Sequence, residues 1–177
     1  MAKHLDYFTK VKLINSNYTK NVILKTNTGQ RYILCNNAPD NWGKTTLLAE
    51  VADYYLNNPT IFQIICKTIY KFDRWAVVRE IATGKIILIQ TKGDVVGCFS
   101  KTFKYLLDKK NPFVDIIICA CHPNNSTHRL VEKLARNTFN LYYFRNFSIH
   151  TKPWILPAST IVKDELKESI ISIVNQL

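Results

Sequence analysis

The run Val114-Asp115-Ile116-Ile117-Ile118-Cys119-Ala120 is apolar at every position but one. A strand that buries one face alternates apolar with polar residues. An unbroken apolar run instead fits a strand covered on both faces, as central strands of parallel sheets are. Parallel neighbours need long crossover connections, usually helical. The run therefore favours an α/β architecture, and the flanking sequence supplies the helices. Ahead of it, residues 99–107 place Phe103, Leu106 and Leu107 at helical spacing; behind it, residues 128–138 do the same with Leu130, Val131 and Leu134.

The remaining elements fit the same frame. Tyr32-Ile33-Leu34-Cys35 and Leu141-Tyr142-Tyr143-Phe144 read as strands, and residues 60–66 as a further strand after Asn57-Asn58-Pro59. Two hairpins are expected. Residues 22–25 and 31–34 flank a turn with Gly29, and residues 76–81 and 85–89 flank a turn with Gly84. Ser159 or Thr160 is expected to cap a last helix whose apolar face carries Ile161, Leu166, Ile170, Ile173 and Val174. A length of 177 residues with no repeat, low-complexity tract or linker reads as a single domain, 1–177. Within it, residues 1–31 form a basic N-terminal segment and hairpin strand rather than a separate domain.

Composition narrows the setting. Hydrophobic content of 47% is that of a globular core, and no apolar run reaches the roughly 18–20 residues of a membrane span. The first residues, Met1 to Asp6, lack the apolar core of a secretory signal. Five cysteines, without framework spacing, fall mostly in apolar runs. Reduced, buried thiols and a cytoplasmic location without membrane are therefore expected. Net charge is +11, and residues 1–31 hold six Lys/Arg against Asp6 alone. That basic N-terminal region is a candidate surface for a polyanion or nucleic acid, although no Arg-rich tract supports it; the plainer reading is a solvated basic face.

The chemistry is concentrated after the first strand, in Ala38-Pro39-Asp40-Asn41-Trp42-Gly43-Lys44-Thr45-Thr46. Leu48, Val51, Ala52 and Tyr55 continue it as an amphipathic helix. A glycine here lets the backbone approach an anion, and the helix N-terminus and loop amides can cradle phosphates. Lys44 can reach the β/γ phosphates and the Thr45 hydroxyl can bind Mg²⁺. Ala38 stands where the usual pattern has its first glycine, which requires a negative φ at that position.

Further candidates follow from the rule that ligands bind beyond the carboxyl ends of parallel strands. Asp115 begins its strand, which would put it at the end away from the phosphate, and is a poor candidate. Asp94, in Gln90-Thr91-Lys92-Gly93-Asp94, follows a strand that, set parallel beside the loop strand, would bring it to Mg²⁺ or to an attacking nucleophile. The competing reading makes Asp94 an Asx turn or helix cap. Gln90 and Thr91 can position water there. In the loop after the central strand, Arg129 can neutralise phosphate charge, and His122 or Asn124 can touch base or substrate. Zinc ligation by Cys119, Cys121, His122 and His128 matches no standard spacing. A Cys121/His122 nucleophilic pair is disfavoured because adjacent strand residues face opposite sides. Trp42 or Trp75 can stack on a base, but packing is the simpler reading.

Through Gly43-Lys44-Thr45 with its strand and helix, residues 32–56 resemble the P-loop nucleoside triphosphatase superfamily. The blocks 85–94 and 115–120 look, more loosely, like small single-domain bacterial or phage-associated members of undefined role. The resemblance implies a three-layer P-loop fold, ATP or GTP with Mg²⁺, and NTP hydrolysis or phosphoryl transfer. It implies Ala38, Asp40, Asn41, Trp42, Gly43, Lys44, Thr45 and Thr46 as nucleotide contacts, Thr45 and Asp94 at the metal, and Lys44, Asp94 and Arg129 in catalysis. The departures are Ala38 and the lack of a strand-terminal Asp. They leave as an alternative a nucleotide-dependent switch or regulatory subunit that binds a protein or nucleic acid without efficient turnover. A structural protein that binds no nucleotide is a third reading.

Overall fold

The computed structural model describes residues 30–38, 43–144 and 156–177, of which 137–138 and 156–162 are described by their backbone alone. Six strands form one sheet: β1 (Tyr32–Asn37), β2 (Phe62–Tyr70), β3 (Asp73–Glu80), β4 (Ile86–Gln90), β5 (Ile116–Cys121) and β6 (Asn140–Phe144). Their spatial order is β2-β3-β4-β5-β1-β6. β4, β5, β1 and β6 run parallel, while β2 and β3 add an antiparallel margin. Four helices accompany them: α1 (Lys44–Leu56), α2 (Ser100–Leu107), α3 (Ser126–Thr138) and α4 (Leu156–Gln176).

The continuous apolar character of β5 has the expected cause. All six of its residues are buried, with β4 and β1 on its flanks and helices over both faces. Alternate residues supply two cores. Ile33, Cys35, Ile117 and Cys119 pack with Tyr105 of α2 and Val131 and Ala135 of α3. Leu34, Ile116 and Ile118 pack with Leu47, Leu48, Val51 and Tyr55 of α1 and Leu166, Ile170 and Val174 of α4. Fully burying a side chain of this size stabilises the fold by about 1.5–3 kcal/mol, so the alternation fixes strand register.

The amino ends of the parallel strands are tied by Asp115. Its carboxylate accepts from the Ile86 amide at 2.8 Å, and its carbonyl accepts from the Tyr32 amide at 2.9 Å. Asp115 thus stands at the end of the sheet opposite the loop that leaves β1, as its place in the sequence required.

Several expectations need correction. Both hydrogen-bonding edges of β1 are taken, by β5 and β6, so residues 31–34 form no hairpin arm; the proposed partner arm, 22–25, lies outside the described residues. β4 does not adjoin β1, because β5 lies between them. The strand expected at 60–66 runs on to Tyr70 and turns into β3 through Lys71 and Phe72, with Lys71 at φ 51° in place of a glycine. The last helix starts at Leu156, so Ser159 and Thr160 lie inside it. Pro157 did not delay its start, since proline is tolerated in a first helical turn. The hairpin around Gly84 formed as β3 and β4.

Candidate functional site

β1 delivers the chain to the carboxyl end of the sheet, and α1 begins there after Gly43. Gly43 has φ 77°, a left-handed conformation that a β-carbon penalises. Ala38, by contrast, is fully buried and is not among the positive-φ residues, so it meets the condition its side chain imposes. No side chain caps the start of α1 and no acidic residue lies in its first turn among the described residues. Its leading amides and the positive end of its dipole lie at the carboxyl end of the sheet, where β1 ends.

Lys44 is 5% exposed, and its ammonium donates a 2.7 Å hydrogen bond to the Ala38 carbonyl. Its Nζ also lies 3.8 Å from Asp94 Oδ1. Thr45 is half-buried and Thr46 exposed. Asp40, Asn41 and Trp42 lie outside the described residues.

Asp94 reaches Lys44 although β5 separates their strands, and the cause is a close backbone approach. A β-carbon at Gly93 would fall 1.9 Å from the Ala120 carbonyl oxygen. The loop after β4 can therefore lie across the end of β5 only because residue 93 is glycine. Val95, not Asp94, caps the short 3-10 turn at Val96–Phe99, and it does so without a side-chain bond. Asp94 is therefore not the cap residue of that turn.

Gln90 and Thr91 are absorbed by the fold. A buried chain runs from Trp75 Nε1 to Thr102 Oγ1 at 3.0 Å and from that hydroxyl to Gln90 Oε1 at 2.5 Å. Gln90 Nε2 continues it to the Lys92 carbonyl at 2.8 Å. Thr91 Oγ1 accepts from the Arg74 amide at 2.8 Å. Both side chains are thus engaged within the fold, and Trp75, 8% exposed, packs against Tyr105.

Asn125 caps α3 through its side-chain oxygen, which accepts from the amides of Thr127 and His128. Arg129 is exposed in the first turn of α3 and makes no ion pair among the described residues. His122 Nδ1 lies 3.0 Å from the Pro123 carbonyl, and Asn124 adopts φ 60°.

A group that sequence spacing did not assemble lies at the carboxyl ends of β1 and β5. Cys35 on β1 donates to Cys121 on β5, with the sulfurs 3.3 Å apart. Cys121 Sγ lies 4.0 Å from His128 Nδ1, whose ring stacks on Tyr143. The Cys35 donor pulls the Cys121 thiol below its ordinary value against the opposing effect of burial, and His128 and Lys44 add to the pull. Burial drives Cys35 the other way, well above the ordinary value. Cys121 is thus paired with Cys35 and His128, not with His122. Among the described residues no group of three or more His, Cys, Asp or Glu side chains gathers as a metal site.

No helix among the described residues is long and apolar enough to cross a membrane. Comparison with protein-family models, with curated proteins and with solved structures finds no match to this chain.

Proposed function

We propose that the protein binds a nucleoside triphosphate, ATP or GTP, with Mg²⁺ at the loop between β1 and α1 and transfers its terminal phosphoryl group to water or a small acceptor. One observation carries this reading. A buried lysine ammonium, Lys44, is held within reach of a carboxylate, Asp94, in the first turn of α1. Such an arrangement is matched to a polyphosphate. The α1 amides bind phosphate oxygens, and Lys44 leaves the Ala38 carbonyl to neutralise charge on the β/γ pair. The Thr45 hydroxyl and Asp94 would hold Mg²⁺. That donor set fits an ion that keeps several waters and needs few protein ligands. The ion would supply positive charge to offset that of the phosphates. Asp94 orients the incoming nucleophile, and Arg129 meets the outer phosphate.

The switch reading draws on a different observation: β5 and β6, the neighbours of β1, end in Cys121 and Phe144, so neither adjoining strand ends in a carboxylate. Isothermal titration of ATP, GTP and ADP, with and without Mg²⁺, on wild type and Lys44→Ala, tests both readings. Absence of binding by the wild type sinks them together. Binding with phosphate release supports transfer, and binding without release favours the switch.

A further inference from the structure

The β2–β3 hairpin ends in features that its own fold does not need. Tyr70 and Asp73 pair directly, leaving Lys71 and Phe72 as a two-residue turn. A turn with φ > 0 at its first central residue normally uses glycine there, yet this one uses Lys71 at φ 51°. Phe72 is 79% exposed and Tyr70 65% exposed, so these two rings contribute little to the core. A strained lysine between two solvent-facing rings costs stability and is best understood through a ligand.

The surroundings indicate the chemistry of that ligand. Lys71 Nζ lies 5.6 Å from the Tyr70 ring centroid. Lys101, exposed on the first turn of α2, reaches Thr68 and lies 4.3 Å over the Trp75 ring. Lys92 stands at the same margin, 3.6 Å from Asp73. Flat aromatic faces interleaved with ammonium groups match unpaired bases on an anionic backbone: the rings stack and the lysines track phosphates. A basic partner, including this chain's own Lys-rich residues 1–29, would be repelled. A largely apolar partner would leave the lysines desolvated and unpaired.

We propose that the tip of the β2–β3 hairpin binds single-stranded nucleic acid, with Tyr70 and Phe72 stacking on bases and Lys71, Lys92 and Lys101 contacting phosphates. The site lies at the end of the sheet where β4 finishes, because Trp75 of β3 pairs with Gln90. It does not depend on nucleotide binding at Lys44.

The test is fluorescence anisotropy of a labelled oligothymidylate of about 20 nucleotides, without added nucleotide, at salt from about 50 to 200 mM. The expected result is salt-sensitive binding that Tyr70→Ala with Phe72→Ala weakens by about tenfold or more. Lys71→Gly is the control for folding: it relieves the backbone strain, so it keeps or raises the melting temperature while still weakening binding. The proposal is overturned if the wild type does not bind at the lowest salt, or if the ring variants bind as the wild type does. It is also overturned if heparin, which has no bases, competes equally well against the wild type and the ring variants. Loss of binding only on charge reversal in residues 3–25 would assign the polyanion surface elsewhere. Hairpin-dependent capture of an acidic peptide without oligonucleotide binding would make this a protein interface instead.

Discussion

The Lys44 ammonium closes the loop after β1 by donating to the Ala38 carbonyl, six residues back in the chain, at 2.7 Å. The bond serves the free protein and is available to be exchanged for a phosphate. Lys44→Ala should therefore act twice. Removing a charged donor from a buried carbonyl costs about 1–3 kcal/mol of stability, seen as a lower urea midpoint. Loss of the charge to phosphate weakens triphosphate affinity by about tenfold or more. A variant that binds ATP and GTP as the wild type does would remove Lys44 from the site.

Asp94 tests the metal half of the proposal. Its side chain is 47% exposed, so its pairing with Lys44 contributes little to stability. Asp94→Asn should leave the melting temperature nearly unchanged and preserve Mg²⁺-free binding. It should abolish most of the gain in affinity and turnover that Mg²⁺ brings. Equal Mg²⁺ dependence in variant and wild type, read by titration calorimetry, would leave Asp94 without a metal role.

Gly93 should be more sensitive than its lack of a side chain suggests. A β-carbon 1.9 Å from the Ala120 carbonyl oxygen cannot be accommodated without moving backbone. Gly93→Ala is expected to cost about 1–3 kcal/mol in urea unfolding and to draw Asp94 away from Lys44. It should then copy the lost Mg²⁺ dependence of Asp94→Asn. Wild-type stability in Gly93→Ala would show that the loop does not rest on β5.

What was legible in the sequence and what was not divide on physical grounds. β5 could be read because burial on both faces removes polar residues from Ile116–Cys121, and α1 because its apolar face recurs at helical spacing. Spatial order could not be read: nothing in residues 86–90 reveals that β5 intervenes before β1. The β2–β3 turn was missed because Lys71 occupies a conformation that usually announces itself by glycine. Gly43, Lys44 and Asp94 were candidates from the motif and the strand-end rule. Their approach, however, depends on contact between Gly93 and Ala120, which leaves no periodic trace. The Cys35–Cys121 pair likewise arises from register, with Cys35 opposite Cys119 and Asn37 opposite Cys121.

That thiol pair gives stability a pH dependence. Cys121 is held below its ordinary value of 9.0, first by the Cys35 hydrogen bond. In the window below 9.0 the unfolded chain binds more protons than the folded one, so stability rises with pH. Cys121's contribution is complete above 9.0 and is lost as pH falls through its folded value. Cys35, raised by burial, acts oppositely and only above 9.0, where its unfolded form ionises first. Urea midpoints at pH about 7 and about 8.5 should therefore show the wild type gaining on Cys121→Ser as pH increases, by at most about 1.4 kcal/mol per pH unit. Cys35→Ala, which removes the donor to Cys121, should flatten that gain, and Cys66→Ser should leave it intact. Parallel profiles for the wild type and Cys121→Ser would mean that Cys121 stays protonated in the folded protein throughout this range.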